Sequence, residues 1–102
     1  MKCLSYNFFG VISNKTRWKI IKLLYKSEKT VSEISTITGE EQSKVSHSLK
    51  QLLNCNIVFS KRQGKNIIYS LNKKTIKPLV KIVNQHTKDF CKNKCCKKEE
   101  KK

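Results

Sequence analysis

The chain is poor in residues that interrupt folded segments, with one proline and three glycines among 102 residues. It has no internal repeat and no proline-rich or Gly/Ser-rich linker, so a chain of this length is expected to form one domain. No stretch approaches the roughly 20 consecutive apolar residues that a membrane-spanning helix needs. These features favour a single domain and predict no membrane-spanning helix in this sequence.

Catalytic groupings are also missing from the sequence. It contains no nucleophile paired with a base, no paired carboxylates and no glycine-rich phosphate loop, so we expect no enzyme. The opening stretch, MKCLSYNFFGVIS, is interrupted at Asn7 and is followed by no small-residue cleavage site. It therefore does not predict a secretory signal, and we expect a cytoplasmic protein.

Acidic residues are scarce, with seven against 23 lysines and arginines, which gives a net charge of +16. An excess of this size indicates a polyanionic partner: DNA, RNA or an anionic membrane surface. The basic residues are spread along the chain rather than set on one amphipathic helix, which disfavours the membrane surface. A lysine-rich surface that is merely solvated is the alternative.

Residues 30–56, TVSEISTITGEEQSKVSHSLKQLLNCN, predict two short helices separated by a turn at Gly39. The second helix has an apolar side at helical spacing, made by Val45, Leu49, Leu52 and Leu53. Its other side carries only hydrogen-bonding groups, from Ser43, Ser46, His47, Lys50 and Asn54. Such a helix suits the major groove of DNA. An ordinary amphipathic surface helix is the alternative.

The flanking segments predict the remaining elements. A short helix over residues 3–12 precedes a second helix capped by Asn14. Thr30 with Glu33 forms a capping box that opens the third helix, whose inward side chains are expected to be Val31, Ile34 and Ile37. The fourth helix is expected from Gln42 to Leu53, with Asn56 just past its end as a residue that tolerates the left-handed conformation of a helix stop. IVFSKRQ and NIIYSLN then predict a β-hairpin. A last helix is expected from about Lys73, with an apolar face made by Ile76, Leu79, Val80, Val83 and Phe90. The fold class is mainly α with a small β-hairpin, a winged helix-turn-helix of order α-α-α-α-β-β-α. We expect the domain to span residues 1–90, followed by a Lys/Cys-rich tail over 91–102.

Three motifs resemble the ArsR/SmtB family of prokaryotic transcriptional regulators: FGVISNKTRWKIIKLL, EEQSKVSHSLKQL and NIVFSKRQGKNIIYSL. They run in order from Phe9 to Leu71, about three fifths of the chain. The resemblance implies a homodimer that binds double-stranded DNA, with the fourth helix in the major groove and the hairpin as the wing. The first and last helices would form the dimer interface.

The resemblance also implies which residues meet DNA. The base-facing candidates are Gln42, Ser43, Ser46, His47 and Lys50. On the wing, Lys61, Arg62 and Lys65 are candidates for phosphate or minor-groove contacts. Arg17 matches the family's T-R pair, and it suits either DNA contact or a structural salt bridge. His47 lacks a second ligand one turn away, which favours DNA over a metal ion.

Departures from the family pattern occur at the turn and beyond the fourth helix. Glu40 and Glu41 replace the usual Leu and Ser, so we expect a looser turn and acids close to incoming phosphates. Cys55 replaces a small residue and is interpreted as a buried core thiol.

The cysteines suggest an inducer site. Their odd number favours thiols or metal ligands over a disulfide framework in a reducing compartment. The stretch TVSEIS lacks the C-V-C that arsenic and lead sensors of the family carry on the third helix. His86 and Asp89 match one half of the family's zinc site, but the other half would fall on Lys73 and Thr75, which are not ligands.

Three cysteines near the end of the chain remain as candidate ligands: Cys91, Cys95 and Cys96, with Cys3 of a second chain as a candidate to complete the site. Thiolates suit the thiophilic ions As(III), Zn(II), Cd(II) and Cu(I). A solvent-exposed tail without ligands and a redox switch are the alternatives.

The sequence thus predicts a DNA-binding transcriptional repressor of the ArsR type, released from its operator by a thiophilic ion. Two rival functions stay open. One is a nucleic-acid-binding protein without sequence preference, which would use the same fold and charge. The other is a small metal-handling protein whose function lies in its thiols.

Overall fold

The structure, a computed structural model, describes residues 5–90. Its elements follow the predicted order α-α-α-α-β-β-α and confirm the predicted fold class. They are α1 (Ser5–Ile12), α2 (Lys15–Lys26), α3 (Val31–Thr38), α4 (Gln42–Asn54), β1 (Val58–Gln63), β2 (Asn66–Leu71) and α5 (Ile76–Phe90). The contacts divide the chain after Asn72 into two compact units. None of the helices in the described part has the length and apolar character required to cross a membrane.

Local sequence signals set the ends of α2 and α3. The Asn14 side chain accepts a hydrogen bond from the Arg17 backbone amide, at 3.1 Å, and caps α2 as predicted. Thr30 and Glu33 form the predicted capping box at the start of α3. Gly39 ends α3 in the left-handed conformation at φ +79°, which a residue without Cβ adopts without strain.

The C-terminus of α4 ends in a Schellman motif. Asn56 takes the left-handed conformation, at φ +56°, as its position past the helix predicted. The Asn56 amide donates to the carbonyl of Leu53 and the Ile57 amide donates to that of Leu52, both at 3.0 Å. This motif turns the chain directly from α4 into β1.

The hairpin pairs β1 with β2 in antiparallel register, from Val58 opposite Leu71 to Gln63 opposite Asn66. Its turn contains Gly64 at φ +64°. The base of the hairpin is also joined to the segment between α2 and α3. There the backbones of Lys29 and Tyr69 exchange two hydrogen bonds, of 3.1 and 2.8 Å. The wing is therefore attached to the helix-turn-helix by backbone bonds as well as by the chain itself.

The core of the first unit is apolar and drawn from every element except α1. Its fully or nearly fully buried hydrophobic side chains are Ile20, Ile21, Leu24, Ile34, Val45, Leu49, Leu52, Ile57, Val58 and Leu71. The prediction for α3 was partly wrong, because Ile34 is buried whereas Ile37 is 56% exposed. This short helix packs against α2, α4 and β2, and only its middle is covered.

The second unit contains α5. The helix begins at Ile76 rather than near Lys73, and Pro78 lies in its first turn, where its missing N–H removes no helical bond. Ile76 and Val80 are buried, but Phe90, which was expected on the same apolar face, is 74% exposed.

Candidate nucleic-acid interface

Helix α4 separates its residues onto two sides. Val45, Ser48, Leu49 and Leu52 are buried. The five candidate base contacts are all exposed: Gln42, Ser43, Ser46, His47 and Lys50. At about 100° per residue they fall within an arc of roughly 140° opposite the buried side. The structure thus brings these five side chains together on one open face, where they can reach base edges and phosphates.

Gln42 is already engaged with the preceding helix. Its amide nitrogen donates to the hydroxyl of Ser32 on α3, at 3.3 Å. A bidentate contact with adenine uses the amide nitrogen together with the amide oxygen. Such a contact would therefore replace the Ser32 bond, and it would place α3 and α4 at the same stretch of DNA.

The turn between α3 and α4 is held by polar contacts despite the loss of the family's apolar residue. The Ser35 hydroxyl donates to the backbone carbonyl of Glu40, at 2.6 Å, and the Glu40 amide donates to the Thr38 hydroxyl, at 3.2 Å. These bonds hold the turn closed, in contrast to the looser turn that the sequence predicts.

The carboxylate of Glu40 lies between two lysines. Lys44 on α4 is 3.2 Å away and Lys19 on α2 is 3.7 Å away. The hydrogen bond from Lys44, with the positive charge of both lysines, lowers the pKa of Glu40 below its ordinary value. The acid at this position is thus neutralised within the protein, which reduces its repulsion of an approaching phosphate.

Three cations line the end of the wing. Lys61, Arg62 and Lys65 are all exposed. Lys61 lies opposite Ile68 and Arg62 opposite Ile67, so the two side chains point to opposite faces of the hairpin. The wing therefore offers positive charge on both faces and at its turn.

A chain of hydrogen bonds links α1 and α2 to His47 on α4. The guanidinium of Arg17, which is half-buried, donates from Nε to the carbonyl of Val11 and from Nη1 to Oε1 of Gln51. The Gln51 amide nitrogen lies 3.3 Å from Nε2 of His47. Arg17 thus has a structural role based on hydrogen bonds rather than the salt bridge considered from the sequence. Gln51 was not among the site residues predicted from the sequence, although it lies one helical turn after His47, at a spacing where side chains contact each other.

The candidate metal ligands fall outside this site. Cys3, Cys91, Cys95 and Cys96 lie outside the described residues. Within residues 5–90, no group of three or more His, Cys, Asp and Glu side chains is placed to hold a metal ion.

The family's half zinc site has other partners, and Cys55 differs from its prediction. His86 stacks on Phe90, and Asp89 accepts a hydrogen bond from Gln85, at 2.9 Å. Cys55 is half-buried and disulfide-bonded, so its interpretation as a buried core thiol was wrong. Its sulfur is part of a covalent bond, and its position at the end of α4 leaves it partly open to solvent.

Comparison with known proteins agrees with this arrangement of helix and wing. Residues 14–60 match the model of the bacterial regulatory protein family arsR. The transcriptional repressor SdpR of Bacillus subtilis is 35% identical over 66 residues, covering 65% of this chain and 73% of SdpR. The chain belongs to the ArsR family.

Two further proteins extend the comparison. A probable mercury resistance operon repressor of Streptomyces lividans is 31% identical over 75 residues, covering 74% of this chain and 60% of its own. The homodimeric winged helix-turn-helix DNA-binding domain of Mb0332 from Mycobacterium bovis superposes with a TM-score of 0.68 at 26% identity. It covers 76% of this chain and 74% of its own. The chain spans about three fifths of the length of the first curated relatives.

Proposed function

We propose that the protein is a transcriptional repressor that binds an operator in double-stranded DNA as a homodimer. The observation that carries this proposal is the exposed polar arc of α4, which lies opposite a buried apolar side and next to a basic wing. Such a helix can enter the major groove while the wing contacts the backbone. The net charge of +16 supplies the attraction to phosphates.

The direct test is selective binding to DNA. The full chain would be incubated with a random duplex pool, and the enriched duplex would be compared with a shuffled one by fluorescence anisotropy. We expect the enriched duplex to bind more tightly. We also expect Lys50→Ala on the exposed arc to weaken binding, whereas Lys81→Ala on α5 serves as a control with the same loss of charge. Equal affinity for both duplexes would support the rival nucleic-acid-binding protein without sequence preference.

The dimer is supported by exposed apolar side chains on α5 and α1. Ile82 is 65% exposed and Phe9 is 58% exposed. A second copy of the chain would remove such surface from water, at about 1.5–3 kcal/mol for each large aliphatic or aromatic side chain. The homodimeric domain of Mb0332 has the same fold, which adds to this support.

Ile82→Glu is expected to dissociate the dimer. In a two-fold interface each substitution acts twice, so we expect the dissociation constant to rise by about a hundredfold or more. Analytical ultracentrifugation over a range of concentrations measures this constant. Lys81→Glu, at the neighbouring exposed position, is the matched control. An unchanged dimer in the Ile82 variant would exclude this face of α5 from the interface.

A thiophilic ion is the inducer that we propose, bound by Cys91, Cys95 and Cys96 with Cys3 once the disulfide of Cys55 is reduced. The support is the chemistry of the thiolates, together with the name of the relative from Streptomyces lividans as a mercury resistance operon repressor. Release from the enriched duplex would be titrated with As(III), Zn(II), Cd(II), Cu(I) and Hg(II). We expect one ion to release the wild type but not a variant with these cysteines changed to serine. Tight ion binding without any change in DNA affinity would instead favour the metal-handling protein.

A further inference from the structure

Only one orientation of the Gln51 amide group satisfies both of its neighbours, Arg17 and His47. Arginine has five N–H donors and no acceptor, so the group that meets Arg17 must be the amide oxygen of Gln51. The amide nitrogen then faces His47. Rotating the amide by half a turn would set its N–H donors against the guanidinium donors. Arg17 is itself fixed by its second hydrogen bond, to the Val11 carbonyl.

This orientation determines which nitrogen of His47 carries the proton. An amide NH₂ group only donates, so Nε2 of His47 must accept and therefore has no hydrogen. In the neutral imidazole the proton then lies on Nδ1. Among the described residues, Gln51 is the hydrogen-bond partner of the His47 ring, and the His47 side chain is exposed on the polar arc of α4.

We propose that Arg17 and Gln51 are positioning residues that hold His47 as an Nδ1–H donor for a hydrogen-bond acceptor on DNA. This inference rests on the proposed function. Such a donor matches a phosphate oxygen, N7 or O6 of guanine, N7 of adenine or O4 of thymine. It does not match the amino groups of adenine and cytosine, so His47 disfavours those groups at its position.

The protonation site can be measured without DNA. Long-range ¹H–¹⁵N correlation spectra of the full chain, recorded at alkaline pH where imidazole is neutral, distinguish the two tautomers. A His86→Gln variant leaves His47 as the only histidine and assigns its signals. We expect the hydrogen on Nδ1 in this background. A hydrogen on Nε2 would overturn the proposal.

Gln51→Glu is expected to reverse the direction of the hydrogen bond between residue 51 and His47. A carboxylate accepts from Arg17 as the amide does, but it can only accept from His47, so the hydrogen is expected to move to Nε2. Loss of one matched hydrogen bond to DNA should weaken binding to the enriched duplex by roughly three- to tenfold beyond the matched control. That control is Asn84→Asp at an exposed position of α5, which makes the same change in net charge. An unchanged tautomer, or equal losses in both variants, would overturn the role of Gln51.

Two amide substitutions at His47 test the donor position. Asn places an N–H close to the position of Nδ1, and Gln places one nearer that of Nε2. We expect His47→Asn to retain more affinity than His47→Gln, and the reverse order would overturn the proposal. A loss confined to the enriched duplex identifies a base as the acceptor, whereas an equal loss on shuffled DNA identifies a phosphate.

The spectra and the binding assays distinguish failure of the inference about His47 from failure of the proposed function. If His47 carries its hydrogen on Nδ1 but the wild type binds no DNA, the proposed function is wrong, and the role of His47 toward DNA is wrong with it. If DNA binding is selective but the hydrogen lies on Nε2, only the inference about His47 fails.

Discussion

Glu40 shows how a single carboxylate can replace an apolar residue at the helix-turn-helix turn. Its backbone is held by Ser35 and Thr38, and its side chain by two lysines from different helices. The ion pairs join α2 to α4 across the turn between α3 and α4. An acid is tolerated here because the lysines surround it.

Glu40→Gln is expected to lower the free energy of unfolding near neutral pH. The pKa of Glu40 is lowered in the folded protein, so its contribution is present above the unfolded pKa and is lost as pH falls through the folded one. The difference between wild type and variant should therefore shrink as the solution becomes acidic. Urea unfolding at a series of pH values measures it.

Glu41→Gln is the matched control, because Glu41 is exposed and makes no side-chain cap at the start of α4. It should change stability less than Glu40→Gln at neutral pH. A Glu40 effect that stays constant from neutral to acidic pH would show that the two lysines do not stabilise its charged form.

At the scale of elements, the end of α4 determines where the wing begins. Asn56 in the left-handed conformation closes the helix, and the Asn72 side chain donates to its carbonyl, at 2.9 Å. The left-handed conformation costs roughly 1–2 kcal/mol for an ordinary L-residue, less for asparagine and nothing for glycine.

Asn56→Ala should therefore destabilise the protein by about 1 kcal/mol, and Asn56→Gly should be neutral or slightly stabilising. Thermal or urea unfolding measures both. Asn54→Ala, within the exposed last turn of α4, is the control, and alanine is favourable there. Equal stability of the Ala and Gly variants at position 56 would contradict the role of the left-handed turn.

The sequence predicted the elements well because their boundaries depend on neighbouring residues. Asn14, the Thr30–Glu33 box, Gly39 and Asn56 each act within a few residues, and all were identified. The exposure of Ile37 could not be predicted, because it depends on which elements pack against α3. The same holds for the contact between Arg17 and Gln51, which lie 34 positions apart. The positions of the candidate DNA contacts on one face followed from helical periodicity, but their roles stay predictions.

At the scale of the whole molecule, the net charge of +16 is the property that most affects the expected binding to DNA. Each phosphate that the protein neutralises releases counterions, so affinity for DNA should fall steeply with salt concentration. Lys61 and Arg62 point to opposite faces of the hairpin, so they need not contribute equally.

Lys61→Gln and Arg62→Gln test the wing at this scale. Removing a side chain that contacts a phosphate should make the slope of log affinity against log salt shallower by about one unit. If only one variant does so, its face of the hairpin lies against DNA. Lys81→Gln on α5 is the control. Unchanged slopes in both wing variants would remove the wing from the interface.

The two backbone hydrogen bonds between Lys29 and Tyr69 have a mechanical consequence. A two-stranded hairpin alone is marginally stable in water, yet here its base is joined to the segment that leads into the helix-turn-helix. Peptide hydrogen bonds rather than flexible side chains thereby hold the wing to the segment that leads into α3. We expect a hairpin held in this way to resist bending, so that a DNA duplex in contact with the wing adapts its groove to the protein.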